Sequence, residues 1–162
     1  NIALVTGGGR DIGKAICFRL AKSGAAVAIN YRSSAAEAEA AVEEITAAGG
    51  TAVAIQADVT KADEVARLVE ETCTQLGGDI DILVNNAGGL LERCPITEME
   101  EELWDRVMDV NFFGVVHSVL PVLPAMMAFS QQTLLFLTGV APILMKVHQL
   151  SSSPRPPRDA AA

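Results

Sequence analysis

The first residues able to hold an anion stand almost at the start of the chain. Thr6 to Gly13 reads TGGGRDIG and follows the apolar run Ile2 to Val5. A glycine-rich turn between a strand and a helix aims backbone N–H groups and the positive helix end at a phosphate. A glycine run alone is a weak signal, and its position after a first strand and before a helix is what gives it weight. Two cations lie where they could join it: Arg10 inside the turn and Arg32 in NYRSS, Asn30 to Ser34. Other chemistry is sparse. Cys17, Cys73 and Cys94 lie far apart, so neither a disulfide framework nor a CxxC metal site is available, and they read as buried, reduced thiols. His117 and His148 have no acidic or histidine partner at ligand spacing and read as ordinary surface or core residues, so no metal is expected.

The elements that must position the turn follow from two alternating periods. Apolar runs of strand length occur at Ile2 to Thr6, Ala25 to Asn30, Thr51 to Gln56, Ile80 to Asn85 and Thr133 to Thr138. They lack polar alternation, as parallel strands buried on both faces do. Helix-period segments lie between them; in Lys61 to Leu76, the residues Val65, Leu68, Val69, Thr72, Cys73 and Leu76 share a face. Ser34, Thr60 and Thr97 each stand three residues before an acid and mark helix starts, while Gly24, Gly49 and Gly50 mark stops. The expected fold is α/β: a doubly wound, Rossmann-type parallel sheet of about five strands built by right-handed crossovers. Residues 1–140 form its nucleotide-binding domain. The stretch 141–162, ending in SSSPRPPRDAAA, reads as an irregular or disordered tail.

Composition narrows the function classes. At 162 residues and 50% hydrophobic, the chain is one globular domain. A net charge of −8 and a pI near 4.7 argue against nucleic acid, which calls for a basic face. No apolar stretch reaches the ~18 residues of a membrane span and the start lacks a signal-peptide layout, so a soluble, cytoplasmic protein is expected.

TGGGRDIG, the pair Asp58-Val59, NNAG from Asn85 to Gly88, and DVNFFG from Asp109 to Gly114 together resemble the short-chain dehydrogenase/reductase family. The resemblance covers residues 1 to about 128 and is closest in texture to 3-oxoacyl-carrier-protein reductases. It implies that Gly7, Ile12 and Gly13 line a pyrophosphate, that Asp58 bonds the adenine amine with Val59 flanking the ring, and that Asn85, Ala87 and Gly88 lie beside the nicotinamide ribose. Where the family pattern TGxxxGxG has its middle glycine, this chain has Asp11, which reads as a first-turn helix acid. The second strand ends without the acid that would hold a ribose 2′-OH. Arg32, with Tyr31 and Ser33 beside it, and Arg10 instead suit a 2′-phosphate, so NADP(H) is favoured over NAD(H).

The family transfers hydride between nicotinamide and a carbonyl or alcohol, using a tyrosine, a lysine four residues on, a serine and an asparagine. Asn111 matches the asparagine. The one tyrosine is Tyr31, and nothing after Asn111 reads YxxxK. Thr138 stands near the place of the serine but is placed by its context at the end of a buried strand, and Lys146 has no phenol four residues before it. The expectation is an NAD(P)(H)-dependent oxidoreductase of small carbonyl or alcohol substrates whose turnover in this chain is impaired. The competing expectation is a non-catalytic dinucleotide-binding module that pairs with a full-length reductase. In either case a homo-oligomer would form through the helix from about Glu101 to Leu120, whose apolar face Leu103, Val107, Val110, Val115 and Val119 also suits packing within the chain.

Overall fold

The computed structural model describes residues 1–128, 133–138 and 141–145. The chain runs β1 (Ile2–Val5), α1 (Asp11–Lys22), β2 (Ala26–Tyr31), α2 (Ala35–Ala47), β3 (Thr51–Gln56), α3 (Ala62–Leu76) and β4 (Ile82–Asn85). After a short 3₁₀ turn come α4 (Glu101–Met108), a π-helical turn (Asp109–Phe113), α5 (Gly114–Ala128), β5 (Thr133–Thr138) and β6 (Ala141–Met145). The sheet order is β3-β2-β1-β4-β5-β6. β1 to β5 pair in parallel, in the registers Ile2↔Ala26, Leu4↔Leu83 and Ile82↔Thr133. The doubly wound parallel sheet expected from the sequence is present. The sixth strand was not expected: Ala141–Met145 lies antiparallel on β5 within the stretch read as irregular. The part of that tail from 146 to 162, with Lys146 and His148, lies outside the described residues, as does the Thr138 side chain.

Every residue of β1 is buried, which explains its unbroken apolar run. Ile2 and Leu4 face one core with Ile55, Leu68, Leu83, Val122 and Met126, under α3 and α5. Ala3 and Val5 face the other, with Cys17, Val27, Ile29, Ala41 and Ile45, under α1 and α2. Alternate residues therefore go to opposite faces, yet both faces are covered. In α3 the predicted stripe is buried at Val65, Leu68 and Thr72. Gly24 and Gly49 follow α1 and α2 with φ of +86° and +83°, so the predicted stops hold.

The predicted starts hold less well. Ser34 does precede α2 but makes no side-chain cap bond, and α3 begins one residue later than Thr60 implies, after Lys61. Thr60 is drawn instead to Asp58, whose Oδ1 accepts from both its N–H (2.9 Å) and its hydroxyl (2.8 Å). Thr97 falls in the 3₁₀ turn, and α4 begins only at Glu101. The cysteines also divide: Cys17 is buried, whereas Cys73 and Cys94 are only half-buried.

The segment Glu101–Ala128 is a continuous helical run, long and apolar enough by length and composition to cross a bilayer, contrary to the sequence expectation. Asn111, Gly114, His117 and two prolines break up its apolar residues in a simple count. Gly114, Ser118, Val122 and Met126 form its buried stripe. Of the face expected for association, Leu103 is buried and Val119 packs on the core, so those two serve the fold. The exposed apolar side chains are Trp104, Phe112, Phe113, Leu120 and Met127.

Candidate functional site: a nucleotide cleft at the sheet switch point

From β1 the chain winds outward through β2 to β3, then returns to lay β4 on the other side of β1. Ligands of such sheets bind where the winding reverses, beyond the carboxyl ends of the strands. A cleft of about 810 Å³ lies there. Its wall includes Gly7, Arg10, Ile12 and Gly13 from the first turn, Tyr31, Arg32 and Ser33 after β2, Asp58 and Val59 after β3, and Ala87 and Gly88 after β4. Eleven of the thirteen site residues expected from the sequence are those just named, and they share one cavity.

The two others stand apart from the wall. Asn85 ends β4 buried, with no hydrogen-bond partner for its Nδ2 among the described residues. Side chains alternate along a strand, so it is Asn86, not predicted, that reaches the cleft. Asn86 Nδ2 donates to the carbonyls of Thr6 (3.0 Å) and Gly7 (2.9 Å). The buried Thr6 hydroxyl in turn accepts from the N–H groups of Asn86 and Ala87, each at 3.0 Å. The loops after β1 and β4 are thereby fastened together. Asn111 lies in the π turn with its amide engaged by backbone: Nδ2 donates to Gly89 O (2.8 Å) and Val107 O (2.9 Å), and Oδ1 accepts from Gly89 N–H (3.1 Å). Its neighbour Val110 lines the cleft.

The turn itself has a definite donor pattern. Gly7 takes φ +61°, a conformation natural to glycine, and its N–H donates to Asn30 Oδ1 at 3.2 Å. The Gly8 N–H donates to the Asn30 carbonyl at 2.9 Å. Gly7 therefore shapes the cradle while its own donor is occupied. The N–H groups of Ile12 and Gly13 have no acceptor among the described residues, as the first turn of a helix leaves them. A Cβ on Gly13 would fall on the Gly7 carbonyl oxygen and within 2.7 Å of Asn86 Nδ2, so only glycine fits.

Asp11 opens α1 as the first-turn acid expected, but its backbone does not suit that place. Its φ is +49°, in the left-handed region, not the helical one. A glycine suits this position for its backbone, and aspartate is among the few other residues that tolerate it. Its carboxylate is exposed, 3.7 Å from Arg10 Nε. On the adenine side, Asp58 Oδ1 is held by Thr60, the Asp58 N–H donates to Glu64 (2.8 Å), and no described residue bonds Oδ2. Val59 is fixed from behind: its carbonyl meets His117 Nδ1 at 3.0 Å, and a Cβ on Gly114 would lie 2.9 Å from its Cγ2. Beneath the turn, Cys17 Sγ lies 3.7 Å from Gly8 O, and burial pushes the thiol pKa up to about 12.

A doubly wound parallel sheet with a glycine-lined cleft at its switch point defines the dinucleotide-binding class of α/β protein. Comparison with known proteins agrees: the short chain dehydrogenase model matches residues 1–148, and the chain belongs to this family. The match runs beyond residue 128, where the motifs end. The 3-oxoacyl-acyl-carrier-protein reductase FabG of Staphylococcus epidermidis is 43% identical over 138 residues, 85% of this chain and 56% of that protein. A short chain dehydrogenase from Burkholderia cenocepacia, solved in complex with NADP, superposes with a TM-score of 0.71 at 40% identity, covering 75% of this chain and 49% of its own. An NADH-dependent reductase, A1-R′, complexed with NAD, superposes with a TM-score of 0.73 at 34% identity, covering 79% and 53%. The chain spans about half the length of the curated relatives it matches.

Proposed function

We propose that the domain, residues 1–140, binds NADP(H) in preference to NAD(H), in an oxidoreductase that interconverts a small carbonyl and its alcohol by hydride transfer. The observation that carries this reading is the donor pattern of the first turn. N–H groups of Ile12 and Gly13, unpaired among the described residues, lie in a turn packed so closely on Gly7 and Asn86 that only glycine fits at Gly13, on one wall with Arg10 and Arg32. Those N–H groups would hold a pyrophosphate, and Asp58 Oδ2 would accept from the adenine amine. Ser33 and the two guanidinium groups would hold a 2′-phosphate, for which a planar cation is a strong, geometrically selective donor. The carboxylates on the wall are Asp11 and Asp58, and neither follows β2, where an acid would select the unphosphorylated ribose. Structural neighbours solved with NADP and with NAD leave this choice to the residues of the cleft.

The bound nicotinamide supplies or accepts the hydride; the protein must supply the proton. An unperturbed phenol, with a pKa of about 10, is a poor base near neutrality without an adjacent cation. The one tyrosine in these residues, Tyr31, closes β2 on the cleft wall and has Ala35, not lysine, four positions on. This chain alone is therefore proposed to bind cofactor and turn over poorly. The similarity to FabG directs the substrate reading toward 3-oxoacyl thioesters.

Titration of the purified chain with NADPH and NADH, followed by nicotinamide fluorescence, tests the cofactor reading. Preference for NADPH supports it, and no binding of either overturns it. NADPH oxidation with ketones and 3-oxoacyl esters tests impairment; turnover comparable to an ordinary reductase overturns that part. A second reading, a non-catalytic module that associates with another reductase copy, rests on the solvent side of the long helix. Trp104, Phe112, Phe113, Leu120 and Met127 are each about half exposed or more, and no charged residue lies between Val110 and Ala128. Solution mass with and without NADPH tests it, a monomer in both counting against it.

A further inference from the structure

Asn30 ends in the cleft wall yet exposes only 2% of its surface. It faces two ways. Toward the first turn it accepts twice: from Gly7 N–H through Oδ1 (3.2 Å) and from Gly8 N–H through its carbonyl (2.9 Å). Toward the β3 side it donates: Nδ2 reaches the carbonyls of Ala57 (3.0 Å), immediately before Asp58, and of Ile55 (3.4 Å) within β3, besides that of its own neighbour Tyr31 (3.4 Å). A carboxamide is suited to this, because one group carries an acceptor and two donors. Aspartate keeps the acceptor and loses the donors; alanine loses both.

The structure assigns Asn30 as the positioning residue that fixes the separation between the phosphate-holding turn and the adenine-side loop. This rests on the nucleotide reading of the cleft given above. A nucleotide whose 5′-phosphate is held by one loop and whose adenine is held by the other gains from both only if the two loops keep a fixed spacing. The effect of Asn30 should therefore be larger on a ligand that spans both loops than on one that lacks the 5′-phosphate.

The test compares NADPH and 2′,5′-ADP, which carry adenine and a 5′-phosphate, with 2′-AMP, which lacks the 5′-phosphate, in N30A and N30D, with Ile45→Ala, a core truncation between α2 and the sheet, as the control for simple loss of stability. NADPH and 2′,5′-ADP affinity should fall about tenfold or more in N30A, with a clearly smaller loss for 2′-AMP. Ile45→Ala should lower the melting temperature without changing any of these affinities. Hydrogen exchange gives a separate readout: the Gly7 amide should lose protection in N30A and keep it in N30D. Equal losses for 2′,5′-ADP and 2′-AMP, or an unchanged Gly7 exchange rate in N30A, overturn the inference. If neither variant folds, the wild-type chain decides. Its Gly7 and Gly8 amides should exchange at least about tenfold more slowly than those of Ile12 and Gly13, which lack acceptors, and equal rates overturn the inference. If the exchange pattern is as stated but wild type binds no nucleotide, the cleft reading itself fails and this role falls with it.

Discussion

Asn111 grips Gly89 by both of its backbone groups, donating to the carbonyl at 2.8 Å and accepting from the N–H at 3.1 Å. The same amide reaches back one turn to Val107 O at 2.9 Å. The side chain that matches the family's asparagine thus fastens the long helix to the loop that carries Ala87 and Gly88. Asn111→Ala should therefore loosen that loop. The expected cost is about 1–3 kcal/mol of stability by urea denaturation, together with a severalfold loss of NADPH affinity by fluorescence titration. Unchanged affinity would mean that the loop does not depend on this fastening.

Gly13→Ala tests the cradle. The added methyl meets the Gly7 carbonyl and the Asn86 amide, which are themselves bonded at 2.9 Å, so neither can withdraw freely. A loss of about 1–3 kcal/mol by thermal or urea unfolding is expected, with nucleotide binding abolished. Retained affinity would place the pyrophosphate elsewhere.

Asp11 sets an exposed carboxylate at the cleft wall, beside Arg10, in a backbone conformation suited to glycine. Asp11→Asn removes the charge and keeps a side chain that tolerates positive φ, whereas Asp11→Gly removes both charge and strain. Both should tighten NADPH binding severalfold at low salt, and the gain should shrink as ionic strength rises. Calorimetry at two salt concentrations reads this, and equal affinities across the three proteins would show that the carboxylate points harmlessly away.

Arg32→Ala should weaken NADPH by about tenfold to a hundredfold while leaving NADH within about twofold, because only the 2′-phosphate would lose a charge-assisted bond. Parallel titrations with the two cofactors check it. An equal loss for both would remove the argument for NADP(H).

Cys17 supplies a pH signature. Buried, it holds its proton more tightly in the folded chain, with a pKa of about 12, than in the unfolded chain, where the value is 9.0. Its contribution is therefore complete below pH 9 and is lost as pH climbs from 9 toward 12, by a few kcal/mol at most. Urea melts at pH 8 and pH 10.5 should show a smaller alkaline loss for Cys17→Ala than for wild type. Thiol reagents at pH 8 should label Cys73 and Cys94 in the native chain before Cys17.

Strands β1, β2 and β4 were legible because burial on both faces leaves an unbroken apolar run, and the first turn because glycine is conspicuous. What stayed hidden depended on direction. Asn85 and Asn86 are adjacent and identical in type, and only the strand pleat sends one into the core and the other to the cleft. Asp11 has a good helical reading in sequence, and only the backbone angle reveals that the position suits glycine. Thr60 looks like a helix cap until Asp58 competes for its hydroxyl. Asn30 stands one residue before the end of β2, where asparagine ordinarily means nothing more than a nearby turn, and its side chain's four partners come from three different segments.

The π turn at Asp109–Phe113 has a consequence for how the long helix can vary. Gly114 N–H bonds Asp109 O, five residues back, so the turn holds one residue more than an α-helical one. From Leu103 to Met126 an ideal helix would drift about 140° out of phase, at roughly 100° per residue, and one absorbed residue cuts this to about 40°. The two ends keep the same side toward the sheet because of this supernumerary residue. Deleting Phe112 should therefore convert the segment to plain helix with both ends still in register, a shortening the fold accommodates. What it would forfeit is the aim of Asn111, so the surplus residue serves the cleft more than the scaffold.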